Sequence, residues 1–203
     1  MLTTGTVQAA GINFETLNHG AIVDNGAFNI DGFTGEITTQ SNGDFDQAQI
    51  YSTDFVGGAD PDLEAPTNVL DNSVYTGGNV MIISENGDVG NPDDDLNGGS
   101  ITFYFDDLVR FTGITLVDAE PNGNEIDVLV DGGIFALQNI ALGDGKWQTF
   151  SDFSFVTREI TVNFGGSGAF DALQVAKVPA PATALLLLTG MAGLHVMRRR
   201  RNL

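Results

Sequence analysis

Three groups of acidic residues stand out for the chemistry they could do. One is Asp54 with Asp60-Pro61-Asp62-Leu63-Glu64. A second is Asp88 with Asn91-Pro92-Asp93-Asp94-Asp95-Leu96-Asn97. The third is split between the two ends of the chain's body, Glu15 and Asp171. Carboxylates at this density point to a hard cation. Calcium takes roughly six to eight oxygens, several from carboxylates, on backbone that can curl around it. Gly57, Gly58 and Pro61 give the first loop that curl, with Asp60 and Asp62 as its expected calcium ligands. Gly98 and Gly99 free the second loop, with Asp93 and Asp95 as its ligands. Neither loop has the EF-hand spacing and its closing Glu. The competing reading is that acidic turns are simply solvated.

Glu15 and Asp171 each follow a phenylalanine, Phe14 and Phe170, inside a strand pattern. A carboxylate buried there needs a cation or backbone donors, because an unanswered buried charge is costly. Alternation offers the other reading: each carboxylate turns outward beside an inward Phe.

Other chemistry is thinly supported. His19 is the one histidine of the body, in the turn Asn18-His19-Gly20, and is expected to be exposed. No Gly-x-Ser-x-Gly elbow or His-Glu-x-x-His helix occurs. A pair of carboxylates is what a glycan-cleaving hydrolase or lyase needs, but with so many acids no particular pair is informative. The body is therefore expected to be no enzyme. Trp147 and Tyr104, with Tyr51 and Tyr75, could stack on a sugar ring if exposed together; a lone Trp in a β-sandwich is more often core. Cysteine is absent, so thiol chemistry and disulfide staples are excluded. That absence makes calcium the natural clip for a secreted domain.

The elements that must position these groups are short strands separated by Gly, Asn and Asp. Apolar alternation or apolar runs appear at 12–15, 35–39, 47–52, 79–84, 101–105, 114–117, 126–130, 134–137, 147–150, 159–164 and 170–175. The run at 79–83 suits a central strand, and Asp131-Gly132-Gly133 makes a hairpin between two others. No stretch before residue 178 carries an apolar period of 3.6. About ten short strands at this spacing predict an all-β protein, a jelly-roll β-sandwich with its first and last strands adjacent. Residues 1–177 hold all 27 acidic residues against four basic ones, Arg110, Lys146, Arg158 and Lys177, a net of −23. Such a body repels nucleic acid and anionic membranes and suits divalent cations.

The end of the chain differs from everything before it. Val178-Pro179-Ala180-Pro181-Ala182 leads into an uncharged, mostly apolar stretch over 182–197, then Arg198, Arg199, Arg200 and Arg201. The prolines hold the entry extended, and a helix begins after them. Sixteen helical residues span roughly 24 Å, short of a hydrocarbon core of about 30 Å. Apolar residues on every face and an arginine stop nonetheless predict a transmembrane helix with the arginines inside.

These three ordered parts resemble the PEP-CTERM protein-sorting tail, in its VPxPA variant; Ala180 departs from the commonest form, which has Glu there. The resemblance implies that an exosortase-type enzyme reads the tail and cuts near the Pro motif. The body would then be left at the surface or in the exopolysaccharide of a Gram-negative biofilm, after an inner-membrane intermediate. An uncut tail would give a permanently anchored protein. The body's motifs resemble a carbohydrate-binding-module type of jelly roll: Ile12-Asn13-Phe14-Glu15, Gly57 to Leu63, Asn79 to Ile83 and Gly168 to Leu173. In such jelly rolls acids from the opening and closing strands hold a structural calcium, the role implied for Glu15 and Asp171. The expected organisation is a signal remnant or disordered start at 1–10, the sandwich at 11–177 and the sorting tail at 178–203. Residues 1–10 lack the basic and apolar parts of an export signal, so the true start is expected upstream.

Overall fold

The structure is a computed structural model that describes residues 10–179 apart from Asp24, Asn122 and Asn124. Ala180, Pro181 and Ala182 of the Pro motif, the apolar stretch 182–197 and the arginines lie outside the described residues. Among the described residues no helix is long and apolar enough to cross a membrane. The chain is all-β, with twelve strands: β1 (Ala10–Ile12), β2 (Gly26–Ile30), β3 (Phe33–Ser41), β4 (Ala48–Ser52), β5 (Thr67–Asn68), β6 (Asn79–Ile83), β7 (Gly99–Val117), β8 (Ile126–Val130), β9 (Ile134–Ile140), β10 (Lys146–Phe150), β11 (Phe155–Phe164) and β12 (Ala169–Lys177).

All twelve belong to one hydrogen-bonded network, antiparallel except where β10 meets β5. Its spine runs β4-β6-β12-β7-β11-β8-β9, and β1, the first strand, pairs with β12, the last. β7 joins the two layers of the sandwich. Its first part, Gly99–Phe105, pairs with β3, and its later part, Val109–Val117, pairs with β12. The two apolar segments expected as separate strands, 101–105 and 114–117, are thus one strand of 19 residues. The reason is that Asp106, Asp107, Leu108 and Arg110 between them stay extended with exposed side chains where the sheet turns over. A register shift between Thr157 and Glu159 in β11 accompanies that turn.

Alternation fills the space between the layers. Phe33, Ile37 and Phe103 from one layer meet Ile12, Phe14, Met81 and Phe170 from the other. The Phe170 ring lies edge-on, 5.7 Å from Phe14 and 6.1 Å from Phe103, the arrangement that ring quadrupoles favour.

β6 is buried at all five positions, which alternation alone does not explain. Met81 and Ile83 face the main core, while Val80 and Ile82 face the other way. There they join Tyr51, Val117 and Ala169 in a second, smaller apolar cluster. The long connection between β4 and β6 folds over this face and contributes Leu63 and Tyr75 to it. The Tyr51 hydroxyl donates to the Asp60 carbonyl at 2.7 Å, and the amide of Thr53 donates to the Gly78 carbonyl at 2.8 Å, holding this cover down. A sheet face turned away from the main core is therefore apolar because a loop layer shields it.

Candidate metal centre

The acids that meet are found at the seam between the sandwich and its cover. Asp60 comes from the cover, and Asp93 and Asp94 come from the loop after β6. One carboxylate oxygen from each lies within 4.8 Å of the other two. Asp60 and Asp94 are buried, and Asp93 is half-buried.

Local hydrogen bonds aim these groups. Asp60 Oδ1 accepts from the amides of Asp62 at 3.1 Å and Leu63 at 3.2 Å, a turn closed by the aspartate's own side chain. That leaves Oδ2, which is buried without a hydrogen-bond partner. The carboxyl of Asp94 interacts with the same side chain, and it can donate only when it carries a proton. Asp94 itself accepts from Ser167 Oγ at 2.7 Å and from the Gly168 amide, at the turn leading into β12. Asn91 Oδ1 accepts from the Ala59 amide at 2.8 Å and ties the second loop to the cover. Asp118, directly after β7, is also buried. It sits at φ +56°, a region that aspartate tolerates better than most side chains. Its Oδ1 accepts from the Gly145 amide at 2.7 Å, and its Oδ2 lies 3.5 Å from Ser167 Oγ.

The charges here are held in an environment that disfavours them. Burial pushes the Asp60 carboxyl up to about 6, against the pull of the Leu63 amide. Burial raises Asp94 well above the usual carboxylate range, and the Asp60 charge adds to it, opposed by Ser167 and Gly168. Asp118 is pushed up to about 7, again first by burial. Asp93 is raised by burial and by Glu85. No described lysine or arginine answers them. Among the described residues the ion pair is Lys177 with Asp107 at 3.6 Å, on the exposed bend of β7. Lys146 Nζ donates to Thr67 Oγ1, and the Arg110 and Arg158 side chains donate to Ser154 and to main-chain carbonyls of Phe105 and Asp106. Three oxygens of like charge this close, with few donors between them, can hold either shared protons or a hard cation.

The structure thus joins what the sequence presented as two separate loops. It brings together Asp60 and Asp93, adds Asp94, and leaves out Asp62 and Asp95. Asp62 is exposed and interacts with Asp144, because Asp60 Oδ1 draws the Asp62 amide inward and its side chain points away. Asp95 is buried but faces β3, where it accepts from Ser41 Oγ, and it also accepts from the Asn97 amide of its own loop at 2.8 Å. Asp93 and Asp94 are adjacent and both reach the site while Asp95 does not, because this loop is irregular rather than a regular strand, and three acids in a row do not reveal which of them face in.

Glu15, just after the first strand, and Asp171, near the start of the last, come near each other as neighbouring charges. Glu15 is exposed and accepts from the Asn79 amide at 2.8 Å. Asp171 is buried under the cover, accepting from the Tyr75 hydroxyl through Oδ2, while Oδ1 has no hydrogen bond. Burial pushes Asp171 up to about 6, with Tyr75 and the nearby amide of Ala172 pulling the other way.

Tyr51 and Tyr75 are buried, so neither can stack on a sugar. Trp147 is half-buried against the second cluster, edge-on to Tyr75 at 5.2 Å, with its Nε1 donating to the Ser73 carbonyl at 3.2 Å. Tyr104 is 43% exposed. It pairs with Glu36 and Glu159 near the start of β7, whereas Trp147 pairs with Val117 at its end, so the two form no common platform. His19 is not simply exposed: it stacks on Phe55 at 4.2 Å and its Nδ1 accepts from the Ser52 amide at 3.0 Å, because the cover reaches over it. Asp94 is named from sequence only within its acidic loop, and Asp118 and Ser167 are not singled out at all. The available signal was an acid placed directly after the apolar run Ile114–Val117.

No protein-family model matches the chain, and no curated protein matches it. Among solved structures it is similar to one described as CpGH89CBM32-6 produced by Clostridium perfringens, at 13% identity and a TM-score of 0.27, over 41% of this chain and 71% of that chain. A likeness at that level carries no argument, and the reading of the sandwich rests on its own strands and core.

Proposed function

We propose that this chain is an exported surface protein, sorted through its C-terminal segment, whose acidic β-sandwich is a non-catalytic structural module of jelly-roll type. The apolar stretch 182–197 halts in the inner membrane with Arg198 to Arg201 inside. An exosortase-type enzyme then cuts near the Pro motif and leaves the body at the cell surface or among exopolysaccharide.

One observation carries this reading. β12 ends at Lys177, the Val178 amide donates to the Leu108 carbonyl at 3.0 Å, and Pro179 is exposed. Pairing therefore reaches the first residue of the Pro motif and stops there, and cutting beyond Pro179 breaks no hydrogen bond of the described fold. The non-catalytic reading is supported by burial. Asp60, Asp94, Asp118 and Asp171, whose carboxyls are raised towards the range useful for acid–base work, lie inside the domain, away from any glycan that could reach its surface.

The test is the mass of the mature C-terminus from the native organism. The expected result is a chain ending near residues 178–182. A mature protein that retains Arg198 to Arg201 refutes the processing.

A further inference from the structure

We infer that Asp60, Asp93 and Asp94 bind one calcium-class divalent cation, which staples the loop cover to the sandwich and so keeps the second apolar cluster closed. Two independent observations carry this. The first is the convergence of three carboxylates from two loops far apart in sequence, within 4.8 Å of one another. The second is Asp60 Oδ2, on a residue only 5% exposed, buried without a donor in the same cluster as Asp93 and Asp94. A buried acceptor left unanswered costs free energy, and no described lysine or arginine reaches it. A cation held by oxygens alone answers all three acids at once. The donor set, all oxygen on irregular backbone, suits calcium better than magnesium, which demands near-octahedral geometry and keeps its water.

The position of the site determines what the ion does. Asp60 is three residues from Leu63, which lies in the second cluster. Asp94 is tied through Ser167 and Gly168 to the start of β12, where Ala169 lies in the same cluster. The cation therefore bridges cover and sheet beside the apolar contact that it protects. Without it, repulsion among the acids pushes the cover away from the sheet. Trp147, the single tryptophan of the chain, packs against this cluster and on Tyr75, so its emission reports the cover directly. None of this depends on the fate of the tail: a chain that is never sorted would bind the ion equally.

The experiment uses the full chain in mild detergent, stripped with EGTA and titrated with calcium or magnesium. Trp147 emission, thermal unfolding and calorimetric stoichiometry are followed. The expected result is one calcium per chain, a blue shift of emission and a rise in Tm, with a weaker response to magnesium. At calcium about 100-fold above Kd, mass action adds about 2.7 kcal/mol. For a chain of this size that corresponds to a Tm rise of roughly 5–10 °C.

Asp60→Asn separates an ion ligand from an ordinary structural acceptor. Its Oδ1 still closes the turn onto Asp62 and Leu63, and its new amide can donate to Asp94. The variant is expected to lose the calcium response and, in EGTA, to melt no lower than wild type. A purely structural acid would make it melt lower in both buffers. Asp94→Asn is expected to lose the response as well, which keeps the test valid should Asp60→Asn fail to fold. Asp106→Asn, on the exposed bend of β7, should retain it. The inference is overturned by wild type that shows no saturable binding at millimolar calcium, by either asparagine variant at the site responding as wild type does, or by loss of the response in Asp106→Asn.

Discussion

Asp171→Asn should make the cation-free protein more stable at pH 8 and slightly less stable at pH 4. The wild-type carboxyl rises from 3.8 to about 6 on folding, chiefly because burial removes its water. A raised acid keeps its proton longer in the folded chain than in the unfolded one. Its stabilising effect is therefore complete below pH 3.8 and is lost as pH rises through 6. The gap corresponds to about 3 kcal/mol of stability lost by pH 8. Asparagine mimics the neutral carboxyl: its oxygen can still accept from the Tyr75 hydroxyl, and its amide is incompletely partnered at a cost of about 1 kcal/mol. The variant-minus-wild-type difference should thus run from about −0.5 kcal/mol at pH 4 to about +2 kcal/mol at pH 8. At pH 8 this is a Tm higher by roughly 4–8 °C. The assay is thermal unfolding by circular dichroism in EGTA, both proteins side by side across that range, so that the other raised acids cancel. A variant that melts lower than wild type at pH 8 would refute the reasoning, because it would mean that the Asp171 charge is already answered inside the fold.

Two further substitutions test the packing. Phe170→Ala removes the ring on which Phe14, Phe103 and Phe164 converge and should cost about 3–5 kcal/mol, read by urea unfolding with an unchanged slope. A loss under about 1 kcal/mol would mean that the layers do not meet there. Gly35→Val would favour a strand by propensity alone, yet a Cβ at Gly35 meets the Tyr104 carbonyl oxygen at 1.9 Å. It should destabilise by about 1–3 kcal/mol, and a neutral or stabilising result would break the β3–β7 register.

The chain's alternation and turn residues were enough to show an all-β body and most of its strands, because each face of a strand repeats every second residue. Pairing of the first strand with the last was also expected, and is found. The continuity of β7 was not legible. Asp106 and Asp107 interrupt the apolar pattern, and the strand carries on beyond them because β11 and β12 pair with Val109, Arg110 and Phe111. The cover was equally hidden: the run Asn79–Ile83 signalled burial on both faces but gave no clue that residues 53–78 supply the second.

By itself the sequence determined the acidity, the cation-compatible loops, the absence of thiols and the distinct character of residues 178–203. These follow from residue type and order, which do not change on folding. Only the tertiary structure decided which acids share a site. Asp60 and Asp94 are 34 positions apart, and their meeting depends on a loop closing over a sheet face. That is a long-range contact which no local period encodes. The same closure turned Asp62 and Asp95 away, placed Asp171 beneath Tyr75, and moved Trp147 from a possible sugar platform to the edge of a small core.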